Sequence, residues 1–326
     1  MNFPRRQFLR LTAAAAVLPA MSRVAWTQGY PTRQVRVIVP FAPGGPPDAA
    51  ARLIGQKLSE SLGKQFYVEN LPGASGNIGT GQAAKAAPDG YTVLVTVNNL
   101  VINPSLFERV PYDPYKDFEP VTLAVSYSSA LAINPSVPAK TVGELVALIT
   151  ANPGKYSFAS PGFGTPTHLL GEQLRVALGL DIVHVPYAGS GPATASIVAD
   201  HTPIGFVGLA AAGPFARDGK LRLLAVMSKN ASGALPDVPT IAAAGYAGLD
   251  GDGWVGALVP AGTPKDIVAL LNREIVQIVN LPELKDRFVA LGLDPVGGTP
   301  EAFAQQLRAE DEKWAKVIRA GNIKAQ

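Results

Sequence analysis

Short apolar runs rich in β-branched residues alternate with amphipathic segments along most of this chain. The apolar runs lie at 35–39, 91–97, 130–133, 156–159, 182–185 and 221–227, and the amphipathic segments lie at 48–62, 141–151, 166–178 and 192–199. The segment 48–62 is predicted to be a helix that packs on a sheet through one apolar face, formed by Leu53, Ile54, Leu58 and Leu62. This alternation predicts an α/β fold with largely parallel sheets. The segments 264–280 and 300–319 add amphipathic helices.

Two loops rich in glycine and proline each join an apolar run to a helical segment. They span 41–48 and 160–168, and the predicted helix N-caps are Asp48 and Thr165, with Pro166 as the first residue of the second helix. Unpaired N–H groups at a helix start, with the positive end of the helix dipole, bind an anion without a charged side chain. A single loop of this kind can also be an ordinary strand-to-helix turn. Two such cradles predict a ligand that carries a carboxylate at one end or at both.

Residues 1–28 are predicted to be an export leader. Arg5-Arg6-Gln7-Phe8-Leu9-Arg10 is a twin-arginine pattern, and the Ala- and Leu-rich stretch 11–21 is too short to span a membrane. Cleavage is expected between Ser22 and Gly29, which would leave the mature protein in the periplasm. The alternative is the N-terminal helix of a cytoplasmic protein, which the arginine pair and the absence of acids in this segment disfavour.

The formal net charge of +3 for the 326 residues comes from the leader. Subtracting its four arginines, which have no acidic counterpart there, leaves −1 for the rest of the chain. The other Lys and Arg residues are scattered, which argues against a nucleic-acid-binding protein and gives no support to a membrane-surface protein. Zero cysteines exclude disulfides, a thiol nucleophile and thiolate metal sites. No metal or cofactor is predicted, and without a second long apolar run the mature protein is expected to be soluble.

Short motifs rich in Gly, Pro and Asn follow one another along the chain after the leader. They are Pro40-Phe41-Ala42-Pro43-Gly44-Gly45 with Asp48 and Arg52, Val68-Glu69-Asn70, Pro72-Gly73-Ala74-Ser75-Gly76-Asn77-Ile78-Gly79, Ala87-Pro88-Asp89-Gly90-Tyr91-Thr92, Asn103-Pro104, Tyr112-Asp113-Pro114, His184-Val185-Pro186-Tyr187, Asp237-Val238-Pro239-Thr240 and Pro260-Ala261-Gly262-Thr263-Pro264. In content and order they resemble the periplasmic substrate-binding receptors of the tripartite tricarboxylate transporters, the Bug receptors. The resemblance covers essentially the whole chain after the leader.

The resemblance implies the fold of type II periplasmic binding proteins, in which two crossing segments join two α/β lobes. The N-terminal lobe would combine 30–130 with 257–326, the second lobe would be 131–256, and the crossings would lie near 131–134 and 254–259. The ligand would bind in the cleft between the lobes, beyond the carboxyl ends of their strands. The implied function is capture of a small carboxylate and its delivery to integral membrane transporter subunits, by a monomer that is not an enzyme.

Receptors of this family are similar in using the two loops as a pincer that holds a carboxylate through N–H groups, hydroxyls and water. The implied first arm is Phe41, Ala42, Gly44, Gly45 and Asp48, although Asp48 suits a helix cap better than contact with an anion. The implied second arm is Ser160, Gly162, Gly164, Thr165 and His168. Further candidates are Thr96, Asn98 and Asn99, which could instead form a turn, and Tyr187, Gly189 and Ser190. Trp254 could form the floor of the site or belong to the core, and His184 and His201 are interpreted as structural or exposed.

Three departures from the family pattern bear on the ligand. Val207 lies near a position where relatives often carry Asp, Lys229-Asn230-Ala231 lacks the usual Arg, and Ala243 replaces a frequent Glu. Loss of an acid beside the cleft removes a partner for a ligand ammonium group. The sequence therefore disfavours an amino acid and favours a di- or monocarboxylate with an apolar or aromatic body.

Two other functions stay open. A sensory receptor that feeds a signalling system could use the same binding module. An enzyme exported by the twin-arginine route is the weaker alternative, because the chain has no G-x-S-x-G or H-E-x-x-H motif. Gly79-Thr80-Gly81-Gln82-Ala83-Ala84 superficially matches a dinucleotide fingerprint, but no predicted strand leads directly into it.

Overall fold

The structure, a computed structural model, describes residues 29–232 and 235–324, so the predicted leader lies outside the described residues. The strands are β1 (Val35–Val39), β2 (Phe66–Asn70), β3 (Thr92–Val97), β4 (Phe118–Tyr127), β5 (Ser129–Ile133), β6 (Tyr156–Ser160), β7 (Ile182–Pro186), β8 (Ile204–Gly208), β9 (Arg222–Val226), β10 (Gly253–Pro260) and β11 (Asp294–Pro295). The α-helices are α1 (Pro46–Leu62), α2 (Asn77–Ala84), α3 (Asn99–Leu106), α4 (Val142–Thr150), α5 (Pro166–Leu178), α6 (Ser190–Val198), α7 (Leu209–Arg217), α8 (Lys265–Val279), α9 (Pro282–Ala290) and α10 (Pro300–Ala320). A short 3-10 turn, Ala74–Gly76, precedes α2.

The strands form two mixed sheets, which confirms the predicted α/β fold with two lobes. The first sheet has the order β11-β4-β10-β3-β1-β2, and the second has the order β7-β6-β8-β5-β9. Strand β1 is parallel to β2 and β3, and β6 is parallel to β7 and β8. The first sheet also contains two antiparallel strands, β10 and β11, and the second sheet contains one, β5. We call each sheet with the helices that pack on it the first lobe and the second lobe.

The chain passes between the sheets at points that differ from the predicted crossings. It leaves the first sheet at Ser128, between β4 and β5, and returns between the end of β9 and the start of β10. The predicted crossings near 131–134 and 254–259 are therefore wrong in position, because they overlap β5 and β10. Both strands are buried apolar runs, and such a run does not reveal to which of two sheets it belongs. The lobe limits of 30–130 with 257–326 and of 131–256 stay a prediction.

Helix α1 follows β1 through the first glycine- and proline-rich loop. Proline occupies its first two positions, where no intrahelical N–H bond is lost, and Gly45 is the N-cap. The predicted apolar face is buried at Leu53, Ile54 and Leu58. The helix ends at Gly63, whose φ of 69° lies in the left-handed region that favours glycine.

The C-terminal helix α10 contributes to the cores of both lobes. Its first half places Phe303 and Leu307 in a cluster with Ile38 and Leu94 of the first sheet. Its second half places Trp314, with Ile318, in the cluster that contains Phe158, Leu131 and Leu169 of the second lobe. One continuous helix therefore links the two hydrophobic cores.

Glu310 lies on α10 between these two halves and is buried. Its carboxylate accepts hydrogen bonds from Asn98 Nδ2 at 3.0 Å and from the indole N–H of Trp314. Asn98 Oδ1 in turn accepts the N–H of Trp254 at 3.0 Å, at the start of β10. This network ties β3, β10 and α10 together where the chain returns to the first sheet. Within the described part of the chain, no helix combines the length and apolar character that a membrane span requires.

Candidate ligand-binding site

The two predicted arms follow the carboxyl ends of β1 and β6, and one short segment contacts both. The ring of Phe41, in the first arm, packs so closely on Gly76 that a Cβ there would lie 3.0 Å from Phe41 Cζ. The neighbouring residue Ser75 donates its hydroxyl to the carbonyl of Phe163, in the second arm, at 3.3 Å. The 3-10 turn Ala74–Gly76 of the first lobe therefore connects the two loops.

Helix α3 of the first lobe also contacts the second arm. Asn99 Nδ2 donates to the carbonyl of Gly164 at 3.2 Å. Gly164 packs against Leu106, and a Cβ at Gly164 would lie 2.5 Å from Leu106 Cδ2. Since Gly164 also has a φ of +74°, both its backbone conformation and this close approach require glycine.

Asp48 does not cap α1 as predicted but organises the loop before the helix. The cap is Gly45, because Pro46 and Pro47 start the helix earlier and place Asp48 in its first turn. The carboxylate accepts the N–H of Gly44 at 3.0 Å, Asn70 Nδ2 at 2.9 Å and the guanidinium of Arg52 at 2.9 Å. Burial acts to raise the pKa of Asp48, but the hydrogen bonds from Arg52, Gly44 and Asn70 outweigh it and hold the pKa below its usual value.

The first arm therefore offers fewer free donors than its sequence suggests. The N–H of Gly44 is bonded to Asp48, and residues 43, 46 and 47 are prolines. Among the residues that the structure describes, the N–H groups of four residues of this arm have no acceptor: Phe41, Ala42, Gly45 and the buried Asp48. Ala42 is exposed and Gly45 is half-buried, so both can reach a ligand.

The second arm is fixed by its own side chains. Thr165 caps α5 as predicted, since its hydroxyl oxygen accepts the N–H of His168 at 3.3 Å and its hydroxyl donates to the carbonyl of Gly162 at 2.7 Å. His168 Nδ1 accepts the N–H of Gly164 at 3.1 Å. Ser160 Oγ lies 2.7 Å from His184 Nε2 and accepts the N–H of Gly162 at 3.2 Å. The loop is thus stabilised by three side chains that each form a hydrogen bond within it, those of Ser160, Thr165 and His168.

His168 is a buried, neutral side chain. Burial above all, and then its neighbours His184 and Arg175, lower the pKa of His168 to about 2. Its ring stacks on that of His184 with 3.9 Å between the centroids, and burial lowers the pKa of His184 to about 4. The 4.0 Å between His168 Nε2 and Glu172 Oε1 is therefore not an ion pair at neutral pH. His168 acts through Gly164, and His184 is structural, as interpreted from the sequence.

A free N–H of the second arm belongs to Phe163, a residue that the sequence did not indicate. The N–H groups of Gly162, Gly164 and Thr165 are bonded to Ser160, His168 and Gly162, respectively. Within the described chain, the N–H of Phe163 has no acceptor. The N–H of Thr167, in the first turn of α5, also has no acceptor among the described residues, but Thr167 is buried. The N–H of Phe163 is therefore the more accessible of the two backbone donors that the second arm leaves for a ligand.

The remaining candidates lie in several places. Thr96 and Asn98 are buried, and the side chain of Asn98 is bonded within the network of Trp254 and Glu310 rather than exposed to the cleft. The hydroxyl of Tyr187 lies 2.5 Å from Ser196 Oγ and 2.8 Å from Thr202 Oγ1. Gly189 caps α6, and Ser190 is the first residue of that helix, with its Oγ 3.9 Å from where a Cβ of Gly208 would lie. Trp254 is a core residue that packs edge-on against Phe303 with 5.2 Å between ring centroids.

The side-chain amides of Asn77, Asn99 and Asn103 form a hydrogen-bonded chain next to the second arm. The sequence indicated Asn99 as a candidate but did not indicate this chain. Asn103 Nδ2 donates to the carbonyl of Ser75 at 2.9 Å and to Asn77 Oδ1 at 2.8 Å, and Asn103 Oδ1 accepts Asn99 Nδ2 at 3.3 Å. Asn99 and Asn103 are four residues apart, so they share one face of α3. That spacing of two amides within an apolar helix was the available signal. Among residues 29–232 and 235–324, no group of three or more His, Asp or Glu side chains is arranged to hold a metal ion.

Comparison with known proteins places this architecture in a family. The model of the tripartite tricarboxylate transporter family receptor matches residues 50–323. The protein BugT of Bordetella pertussis is 34% identical over 320 residues, which cover 97% of this chain and 98% of BugT.

Solved structures of similar proteins agree with both lobes. Rpa4515 of R. palustris, solved with adipate, is 32% identical with a TM-score of 0.84, and the match covers 91% of this chain and 100% of that one. MatC of Rhodopseudomonas palustris, solved with bound malate, is 31% identical with a TM-score of 0.80, over 89% of this chain and 100% of that one.

Proposed function

Because the chain belongs to the tripartite tricarboxylate transporter receptor family, we propose that this solute-binding receptor captures a small carboxylate between its two lobes and delivers it to the membrane subunits of such a transporter. The site supports a binding role through neutral donors. The N–H groups of Ala42 and Gly45 on one arm and of Phe163 on the other have no acceptor within the described chain. Helices α1 and α5 begin at these arms, and the positive ends of their dipoles favour an anion.

The observation that carries the proposal is the contact between the second arm and two segments of the first lobe, the 3-10 turn Ala74–Gly76 and helix α3. Ser75 and Asn99 of the first lobe bond the carbonyls of Phe163 and Gly164 in the second. A ligand held by both arms is removed from water on two sides, so its binding energy favours the closed arrangement of the lobes. The two relatives solved with adipate and malate are bound to dicarboxylates. We therefore propose a dicarboxylate first, and a monocarboxylate with an apolar or aromatic body second.

Arg52 is the basic side chain nearest in sequence to the first arm, but its guanidinium is bonded to Asp48 and Asn70. Recognition would then rest on oriented N–H groups and on ligand shape rather than on an ion pair. We propose that the mature protein acts in the periplasm after export. The twin-arginine leader that would direct this export lies outside the described residues.

A thermal-shift and calorimetric screen tests the proposal. Adipate, malate, shorter and longer dicarboxylates and aromatic monocarboxylates are compared with their neutral amides of the same shape, such as adipamide. A carboxylate at 100 times its Kd should add about 2.7 kcal/mol to the free energy of unfolding, and its amide should add nothing. Equal binding of acid and amide, or the absence of binding by every carboxylate, would contradict the proposed function. Uptake of the labelled ligand by cells with and without the receptor separates transport from sensing.

A further inference from the structure

The peptide groups that surround Gly164 are held from both lobes at once. The carbonyl of Phe163 accepts the hydroxyl of Ser75 in the first lobe, and the N–H of the same peptide group, on Gly164, is bonded to His168 in the second. The carbonyl of Gly164 accepts Asn99 Nδ2 of the first lobe, and the N–H of Thr165 is bonded to Gly162 in the second. Two successive peptide planes are therefore fixed at both ends.

This arrangement determines which polar atoms face a ligand. A carbonyl oxygen repels a carboxylate, whereas an N–H attracts it. The carbonyls of Phe163 and Gly164 point to donors in the first lobe, and the carbonyl of Gly162 is engaged by the hydroxyls of Thr165 and Ser160. The peptide group is trans and planar, so the N–H of Phe163 points away from the Gly162 carbonyl. Within the described chain, the second arm thus has its carbonyls bonded and two N–H groups without an acceptor, those of Phe163 and of the buried Thr167.

The orientation of the Asn99 amide is defined by its surroundings. Its Nδ2 lies between two acceptors, the carbonyl of Gly164 and Asn103 Oδ1. Asn103 is itself oriented because its Nδ2 donates to the carbonyl of Ser75. The carbonyls of Ser75 in the first lobe and Gly164 in the second therefore fix the orientation of both amides. A flipped Asn99 would place its Oδ1 against the carbonyl oxygen of Gly164, and the two oxygens would repel each other.

Asn99 Oδ1 is buried and has no hydrogen-bond donor among the described residues. A buried amide usually satisfies both of its ends, and an unpaired acceptor carries a desolvation cost. Gly164 lies against the amide of Asn99, since a Cβ at Gly164 would be 3.9 Å from Asn99 Nδ2. We expect separation of the lobes to admit water to this amide. Hydration of Asn99 would favour the open form of the protein, whereas the hydrogen bond from Asn99 to the Gly164 carbonyl favours the closed form. Because the two effects oppose each other, this hydrogen bond can break.

We propose that Ser75 and Asn99 are positioning residues of the binding site: they form an interlobe latch that orients the second arm and sets how long a ligand is retained. The proposal rests on the proposed function, since it assigns a role within that site. Neither side chain needs to touch the ligand. Loss of the latch should therefore weaken every ligand by a similar factor and act on dissociation more than on association.

The test uses the mature protein and the variants Ser75→Gly, Asn99→Ala and the double variant. Glycine suits position 75, where Ser75 has a φ of 54°, so this change removes the hydroxyl without adding strain. Asn152→Ala is the matched control, because Asn152 Nδ2 also bonds a carbonyl but lies on the second lobe at Leu148. Dissociation and association rates of adipate and malate are measured by stopped flow, and the radius of gyration without ligand is measured by small-angle scattering.

The latch predicts that the double variant releases each probe roughly tenfold faster, with association rates within about twofold of the wild type and with a larger ligand-free radius of gyration. Unchanged dissociation rates and radius, or a tenfold loss for one probe alone, would overturn it. If neither adipate nor malate binds the wild type, the test rests on the ligand-free radius of gyration. A larger radius for the double variant than for the wild type supports the latch, and an equal radius overturns it. Failure of the whole carboxylate screen would instead count against the proposed function.

Discussion

The imidazole rings of His168 and His184 stack with 3.9 Å between their centroids, and both belong to the framework of the second arm. Each ring accepts or shares a hydrogen bond with that loop, His168 through Gly164 and His184 through Ser160. Two stacked rings so close together cannot both be charged without strong repulsion, so the framework requires neutral histidines.

A fall in pH should therefore lower the free energy of unfolding of the protein. Burial lowers the pKa of His184 from 6.5 to about 4 in the folded chain, so its contribution to stability is present above pH 6.5 and is lost as the pH falls through 4. After allowance for solvent screening, we expect a loss of about 2 kcal/mol between these limits. Urea unfolding at several pH values should show a smaller loss for His184→Gln. An identical pH profile for the variant would contradict this assignment.

The contribution of Asp252 to stability should change with pH in the opposite direction. Burial, followed by the nearby Asp250, raises its pKa to about 6, against the opposing effect of Lys313 and with smaller contributions from Asp294 and Glu310. A raised carboxyl pKa means that its stabilising contribution is present below pH 3.8 and is lost as the pH rises through 6.

Asp252→Asn should consequently raise the free energy of unfolding at pH 8, by about 1 kcal/mol, and by less at pH 5. Exposed Asp286→Asn on α9 is the control for removal of one carboxylate at the protein surface. A stabilisation of Asp252→Asn that is equal at both pH values would show that charge is not its cause.

Gly164→Ala should abolish tight ligand binding while the fold persists. The added Cβ would meet Leu106 Cδ2 at 2.5 Å, and the φ of +74° adds a backbone cost of about 1–2 kcal/mol. Gly179→Ala on the same lobe is a matched control, because Gly179 has a φ of +61° but no heavy atom within 4 Å of an added Cβ. Calorimetry should show normal binding for the control only. Adding Leu106→Ala to Gly164→Ala should restore part of the affinity, and the absence of any recovery would argue against the steric explanation.

Asp48→Ala should disorganise the first arm. The change removes the acceptor of Gly44, Asn70 and Arg52 from a buried position, which should cost about 1–3 kcal/mol of stability. The pKa of Asp48 is lowered, so its contribution is present above pH 3.8 and is lost as the pH falls through the folded-state value. Unfolding at pH 7 measures the loss, and calorimetry should show weaker binding of any carboxylate that the wild type binds. A variant as stable as the wild type would contradict the role assigned to these hydrogen bonds.

Replacement of Arg5 and Arg6 by Lys should leave uncleaved precursor in the cytoplasm. The twin-arginine route depends on this pair, whereas the general secretory route requires only positive charge before an apolar stretch. Cell fractionation followed by immunoblotting measures the result. A normal periplasmic yield from the Lys-Lys variant would assign export to the general route.

The local features of the site could be predicted from the sequence, because they depend on neighbouring residues. The Thr165 cap follows from a Thr-Pro pair before an amphipathic segment, and the two loops follow from their glycines and prolines. The cap at Asp48 was predicted wrongly because two prolines start α1 before it. The roles of Asn98, Asn99 and Ser75 could not be predicted, since their partners Glu310, Gly164 and Phe163 lie 212, 65 and 88 residues away along the chain.

Helix α10 also constrains the order in which the protein can be assembled during synthesis. The core of the second lobe includes Trp314 and Ile318, which are translated after all of its strands. A ribosome that has made β5 to β9 has therefore not yet supplied the side chains that complete their core. The second lobe should stay open to chaperones and proteases until α10 emerges, and both lobes should then gain protease resistance together.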